Sequence, residues 1–447
     1  MRLLQKPALR GAAWTVIGFG ASQTLRFIGN LILTRLLVPE YFGMMAVVNS
    51  LNIGLNLFSD IGIQQSIVQN KAGAEPEFLN TAWTLQIFRG WFIFALILLC
   101  AGPVGHYYNE PVLTPVIIIT GFSTVINGFI STKLWRLNRS LKLGWLISLE
   151  LISSFLGLTA MVIWAWLSPS IWALPIGSVV SATAKASMSH LVLPGPSNRP
   201  QWNRKFLDEI VNFGRWVMVA SGVMFLANQA DRFIMAKLLS FSVLGVYTVA
   251  VTLAELPKQI VGELNYRVIF PVVSQNADLP RPTLRAKILT QRRLILLAFA
   301  AGIAISAAFG DLLISTLYDE RYQEATWMFS MLCLGVWFSV LFYTSVPCLM
   351  GVGKPIYSAQ GNVLRLLVIV IGIPLGHHWA GAFGAILAIA VSDFPAYVGI
   401  QYGLWREQLS FLRQDLLLTT ALGLGVTVLL AGRYGLGLGT PFDRLWA

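Results

Sequence analysis

Along most of the chain, apolar residues run in blocks of twenty or more, parted by short strings of polar and basic residues. A helix rising 1.5 Å per residue needs about twenty such residues to cross a hydrocarbon core of ~30 Å. In lipid each backbone amide and carbonyl must find its partner within the segment, so blocks of this length are helices. The pattern predicts twelve spans: Gly11–Leu37, Tyr41–Ile67, Phe78–Ala101, Val112–Lys133, Leu143–Leu167, Ile171–Leu193, Phe213–Leu239, Phe241–Leu264, Leu294–Leu317, Trp327–Met350, Ile356–Gly376 and Trp379–Leu404. A further stretch, Leu416–Gly432, is short and Gly-rich, either a thin thirteenth span or an interfacial helix.

Polar residues interrupt these blocks with helical spacing. Gln23, Arg26, Asn30 and Thr34 share one face of the first span, and Asn49, Asn52, Asn56, Asp60 and Gln64 one face of the second. The fourth span carries a weaker version in Thr120, Thr124, Asn127 and Ser131. The halves also echo each other at an offset of 202 residues, where Trp14 meets Trp216, Arg35-Leu36-Leu37 meets Lys237-Leu238-Leu239, and Gly43 meets Gly245. Carried across that offset, Arg26 meets Asn228, Asn30 meets Arg232 and Asn56 meets Lys258. Six spans per copy give both halves one orientation, with a cavity expected between them. The expected fold is thus an all-α integral membrane protein. Residues 1–193 form one six-helix bundle, 194–212 a cytoplasmic connector, 213–406 a second bundle and 407–447 a tail.

Composition agrees. Apolar residues make up 56% of 447 positions and charged residues 12%, far too little charge for a soluble surface. The net charge of +12 lies in strings between spans, which marks orientation rather than nucleic-acid binding. With the N-terminus inside, 21 of the 32 Lys and Arg fall on the cytoplasmic side, Arg292 and Arg293 among them. Five, including Arg433, fall outside, and six lie in or near spans. The basic Met1–Arg10 precedes an apolar stretch too long for a secretory signal, which is expected to stay as the first span.

A charge at mid-bilayer costs about 2.5–3.5 kcal/mol by insertion scales, so charges there face protein or water. Arg26, Arg89, Arg232, Lys258 and Arg365 stand against Asp60, Asp231, Glu255, Glu263 and Asp393. Together with Gln23, Asn30, Asn49, Asn52, Asn56, Asn127 and Asn228, they predict a hydrated cavity. Arg26 and Arg89 lack an acid nearby in sequence, which favours an anionic ligand in the N-terminal half. Two blander readings stay open. Polar stripes also glue helices together, and Arg89 and Arg365 are close enough to span ends to snorkel. Lys185 is expected to snorkel at the inner end, and His377-His378 to sit solvated in an outer loop. Cys100, Cys333 and Cys348 read as small buried hydrophobes. Nucleophile elbow, P-loop lysine and metal-ligand spacing are all missing from the sequence, so neither an enzyme nor a metal or cofactor site is expected.

The opening Gly11-Ala12-Ala13-Trp14, the span end Leu33-Thr34-Arg35-Leu36-Leu37-Val38-Pro39-Glu40-Tyr41-Phe42-Gly43 and the later Asp231-Arg232-Phe233-Ile234 with Leu244-Gly245-Val246-Tyr247 resemble the polysaccharide transporter (Wzx-type flippase) family. That family belongs to the multidrug/oligosaccharidyl-lipid/polysaccharide exporter superfamily. The resemblance covers about residues 8–406. It implies two six-helix bundles around a cavity and ion-driven flipping of undecaprenyl-diphosphate-linked oligosaccharide from inner to outer leaflet of the bacterial cytoplasmic membrane. It also implies membrane lipids, glycosyltransferases and a polysaccharide polymerase as partners. The diphosphate-binding role would fall to Arg26, Arg89, Arg232 and Lys258, with Arg365 a further cavity base. Asp60, Asp231 and Glu255 would couple H+ or Na+. The alternatives are a drug exporter of the same superfamily, for which more acidic stripes are expected, and a membrane scaffold for glycan-synthesis enzymes. An odd thirteenth segment departs from the family pattern.

Overall fold

The computed structural model describes residues 2–140, 142–265, 269–276 and 279–443, and among these it contains helices and no strand. The chain divides into two compact units, Met1–Phe225 and Leu226–Ala447.

The first unit holds α1 (Arg2–Leu36), α2 (Pro39–Phe58), α3 (Ile63–Gln69), α4 (Pro76–Tyr107), α5 (Leu113–Gly128), α6 (Lys133–Arg139), α7 (Leu143–Leu167), α8 (Ala173–Leu191) and the start of α9 (Arg204–Leu238). Prolines open α2 and α4, where the missing amide costs no hydrogen bond. Neighbours pack in the order α4, α5, α8, α7, α1, and α2 touches α4 and α5 more sparsely. Small residues let backbones approach. A Cβ added to Gly90 of α4 would lie 3.0 Å from the Thr124 carbonyl oxygen of α5, as expected where helices meet without a hydrophobic driving force.

Residues 194–203, polar in sequence, are stitched to this unit. Asn198 accepts from the Ser131 hydroxyl at 2.5 Å and donates to the Thr132 hydroxyl at 2.6 Å. The Gln201 amide donates to Thr84 at 3.0 Å. The first turns of α9 follow, with Phe206 edge-on to Phe78 at 5.3 Å between ring centroids.

The second unit holds the rest of α9, then α10 (Phe241–Ala254), α11 (Leu256–Leu264), α12 (Phe270–Gln275), α13 (Arg281–Leu317), α14 (Ala325–Gly351), α15 (Ile356–Leu367), α16 (Ile373–Val391), α17 (Asp393–Arg406) and α18 (Leu412–Gly435). Ser240 caps α10 by accepting from the Val243 amide at 3.3 Å. Helix α14 is central. Its most apolar window is 78% buried, and it packs against α10, α13, α16 and α17. A Cβ on Gly335 would fall 2.3 Å from the Ala390 carbonyl oxygen, a backbone atom that cannot yield. Gly335→Leu is therefore expected to cost at least about 1–3 kcal/mol of thermal stability. Gly423→Leu on α18, which faces open space, should leave the melting temperature within a degree or two.

The echo between halves reaches the helix bounds. Helices α1 and α9 end 202 residues apart, at Leu36 and Leu238. The starts of α2 and α10, Pro39 and Phe241, keep the same offset.

Eight described stretches are long and apolar enough to cross a membrane, or nine if the bent pair α5–α6 is one span. Within this count, Ile356–Arg406 conceals a reversal. Ala380 and Gly381 leave the helical region, Gly381 at φ +57°, and the Gly376 and Gly384 backbones touch, so two antiparallel arms meet there. Gly381 takes a left-handed conformation that a side chain would strain. His377 and His378 thus lie in the helix before the turn, not in an outer loop. The short Leu416–Gly432 stretch becomes part of α18, 24 residues and long enough to cross.

Several spans expected to be continuous are interrupted. Helix α2 ends before Gly62, which sits at φ +62° ahead of α3. Helix α5 bends by 64° into α6. Helix α10 stops at Glu255, just before Pro257 in the first turn of α11.

Candidate functional site

Unit one contains two neighbouring polar cavities. The larger, about 700 Å³, lies among α1, α2, α5, α7 and α8. Arg26 and Asn30 of α1, Asn49 of α2 and Asn127 of α5 face it. Arg26 is exposed and, among the described residues, makes no ion pair. Across the groove Glu150 of α7 and Lys185 of α8 form an ion pair. Lys185 therefore does not snorkel: its ammonium is held by a carboxylate inside the groove. Glu150 escaped the sequence reading because its stretch of α7 carries no other charge and so shows no stripe. Gln23 is half-buried on α1 and is not among the groove's lining residues.

The smaller cavity, about 210 Å³, is lined by Asn56, Asp60, Gln64, Gln86, Arg89 and Asn127. Its chemistry follows from the interrupted spans. The end of α2 leaves carbonyls without intrahelical donors inside the bundle, a costly state unless partners arrive. Arg89 supplies them, donating through Nε to the Ser59 carbonyl at 2.7 Å and through Nη2 to the Asn56 carbonyl at 2.6 Å. One turn earlier on α4, Gln86 does the same for α5, reaching the carbonyls of Asn127, Gly128 and Ile130 at 3.0–3.2 Å. Arg89 is thus neither a snorkelling residue nor a freely available base. Asp60 turns its carboxylate back to the Gly62 amide at 3.0 Å. Asn52 lines neither cavity, and its buried amide meets no described polar partner.

In unit two the predicted bases each acquire an acid. Arg232 lies 3.4 Å from Asp231, Lys258 3.1 Å from Glu255, and Arg365 3.0 Å from Asp393. Tyr247 donates to Asp231 at 2.8 Å, and Asn228 accepts from Arg365 at 3.1 Å. Glu255 stands within electrostatic range of Arg232 and Arg365 as well as Lys258, so the pairs form one cluster of three bases and three acids. Arg365, 8% exposed, does not reach headgroups.

Two further ion pairs involve arginines that the sequence reading placed in aqueous segments. Arg292, expected in a cytoplasmic loop, is 2% exposed within α13 and paired with Asp415 of α18. Arg433 is likewise 2% exposed and paired with Asp311 of α13. Both partnerships fasten α18 to α13. Arg292 was misplaced because α13 starts at Arg281, well before the apolar block at Leu294, and Arg433 because α18 runs on to Gly435.

Comparison with known proteins gives a consistent picture. The chain is 22% identical over 405 residues to the lipopolysaccharide biosynthesis protein WzxC of Escherichia coli K12, covering 86% of this chain and 78% of that one. It is 23% identical over 410 residues to the succinoglycan biosynthesis transport protein ExoT of Rhizobium meliloti 1021, covering 90% and 81%. Its fold matches the lipid II flippase MurJ in an inward closed conformation with a TM-score of 0.70 at 12% identity, over 92% of each chain. The chain is a multi-pass membrane protein, similar to one relative named as a transport protein and folded like one named as a flippase, and the family resemblance is borne out. A family model described as polysaccharide biosynthesis protein matches residues 32–327, about two thirds of the chain, and to that family this protein belongs.

Proposed function

We propose that this protein flips an undecaprenyl-diphosphate-linked oligosaccharide, a polysaccharide or O-antigen precursor, from the cytoplasmic to the outer leaflet of the bacterial inner membrane. Movement is by ion-coupled alternating access, with the N-terminus cytoplasmic. One observation carries the reading: Arg26 stands exposed and without an ion pair among the described residues, in a groove of about 700 Å³ whose other base already has its own carboxylate. A base left uncompensated in a membrane bundle calls for an anion from outside the chain. The amides of Asn30, Asn49 and Asn127 and the hydroxyls of Ser154 and Ser181 add the donors and acceptors that sugar hydroxyls take. The transport role in ExoT's name and the flippase role in MurJ's support the same direction. In this reading the balanced cluster of unit two, with Asp231 and Glu255, and Asp60 in unit one are where a coupling H+ or Na+ acts, while Arg232, Lys258 and Arg365 are secondary cavity bases.

The test is reconstitution. Proteoliposomes carrying a fluorescent polyprenyl-diphosphate oligosaccharide should show protein-dependent exposure of the sugar on the opposite leaflet. Absence of translocation by well-folded protein, with glycosyltransferases binding it instead, would leave the scaffold reading in place.

A further inference from the structure

The larger groove contains one carboxylate among its described lining residues, Glu150, and that carboxylate is bound to Lys185. The other carboxylate of the unit's cavities, Asp60, lines the smaller one and is turned to the Gly62 amide. Helices α2 and α5 offer the groove only neutral polar groups, Asn49, Ser123 and Asn127. Of the basic residues on α6, which also packs on α7, Lys133 is engaged with the His190 carbonyl and Arg139 with the carbonyls of Ile67 and Asn70. Glu150's one ion pair among the described residues is with Lys185, and that pair lines the same groove as Arg26.

We propose that Glu150 is a resident counter-anion: it occupies Lys185 while the groove is empty and is displaced when a diphosphate bridges Arg26 and Lys185. The inference rests on the anion-carrier reading of the groove and extends it. Glu150's side chain is 54% exposed and that of Lys185 25%, and both line the open groove, so the pair can exchange partners without being pulled from a packed interior. Its consequence is release. Two unopposed bases would hold a diphosphate too firmly for a carrier, which must bind well enough to load and weakly enough to unload. An internal carboxylate competing for one of them lowers affinity without removing the site.

The experiment measures inorganic pyrophosphate binding to the full chain in lipid nanodiscs by calorimetry. Glu150→Gln is expected to tighten binding about two- to fivefold, the scale of a partly exposed ion pair. Lys185→Gln should weaken it, and adding Glu150→Gln to Lys185→Gln should change nothing further. Glu150→Ser serves if the glutamine variant is poorly folded. Unchanged or weaker binding in a folded Glu150 variant overturns the proposal, as does equal tightening in the Lys185→Gln background, which would reflect the general field rather than competition. Failure of the wild type to bind pyrophosphate would instead sink the carrier reading itself. Nanodiscs doped with undecaprenyl diphosphate separate the sources: displacement of pyrophosphate supports the lipid headgroup as occupant, and its absence assigns the groove to a soluble anion and overturns the lipid carrier.

Discussion

Arg292→Ala is expected to lower the stability of the protein by about 3–5 kcal/mol, the largest effect of any single substitution proposed for this chain. The guanidinium is almost wholly enclosed. It donates through Nε to the Thr344 hydroxyl at 3.0 Å, through Nη2 to the Leu341 carbonyl and Ser345 hydroxyl at 3.3 Å, and through Nη1 to Asp415. The Phe411 ring closes over it at 5.1 Å. Asp415 in turn accepts from Tyr397 at 2.9 Å and from Gln401. Removing the arginine leaves a carboxylate 1% exposed with two neutral donors and no charge to balance it. Removing both charges leaves no such orphan, so Arg292→Met with Asp415→Leu should recover most of the lost stability. Cys333 and Cys348 are 3% and 0% exposed, so in a Cys100→Ser background, which removes the half-buried third thiol, the fluorescence of a thiol-reactive dye during heating reports unfolding. If the single and double variants melt alike, the pair is not what binds α18 to α13.

Arg26→Ala is expected to slow translocation of lipid-linked oligosaccharide in proteoliposomes by roughly ten- to a hundredfold, from the loss of about 1.5–3 kcal/mol in charged hydrogen bonds. Stability should hardly change, because the side chain is exposed and, among the described residues, makes no ion pair. Arg26→Lys should retain part of the activity, since it keeps the charge but loses the planar fork that suits phosphate oxygens. The contrast with Arg89 is diagnostic. Arg89→Ala removes donors from the end of α2, so its melting temperature should fall along with transport. Equal turnover in wild type and Arg26→Ala would remove the groove from the transport route.

The sites differ in how far the sequence alone could reach them. Arg26, Asn30 and Asn49 were legible because helical spacing states which face a residue occupies, and a polar face in an apolar span has few destinations. The same spacing put Asn56, Asp60 and Gln64 on one face of their helix, but which cavity that face lines came from the structure. Pairing was not legible. Lys185 and Glu150 lie 35 residues apart on helices whose mutual rotation the sequence leaves open. Gln86 and Arg89 read as a polar pair one turn apart on α4, but nothing local revealed that the carbonyls they satisfy belong to the ends of α2 and α5.

By itself, the order of apolar and polar residues determined that this is a membrane-spanning helical protein with a repeated opening in each half, because helix formation in lipid and side-chain periodicity are properties of each segment. The end of α9 and the start of α10, each at the offset read from a few matched residues, show how far that local information extends. Tertiary structure decided which charges remain available. Arg292 and Asp415, 123 residues apart, cancel each other in the interior, as do the bases and acids around Asn228, whereas Arg26 meets no such partner among the described residues. The distinction between a structural charge and one open to a ligand depends on distances between helices, and those exist only once the helices have packed.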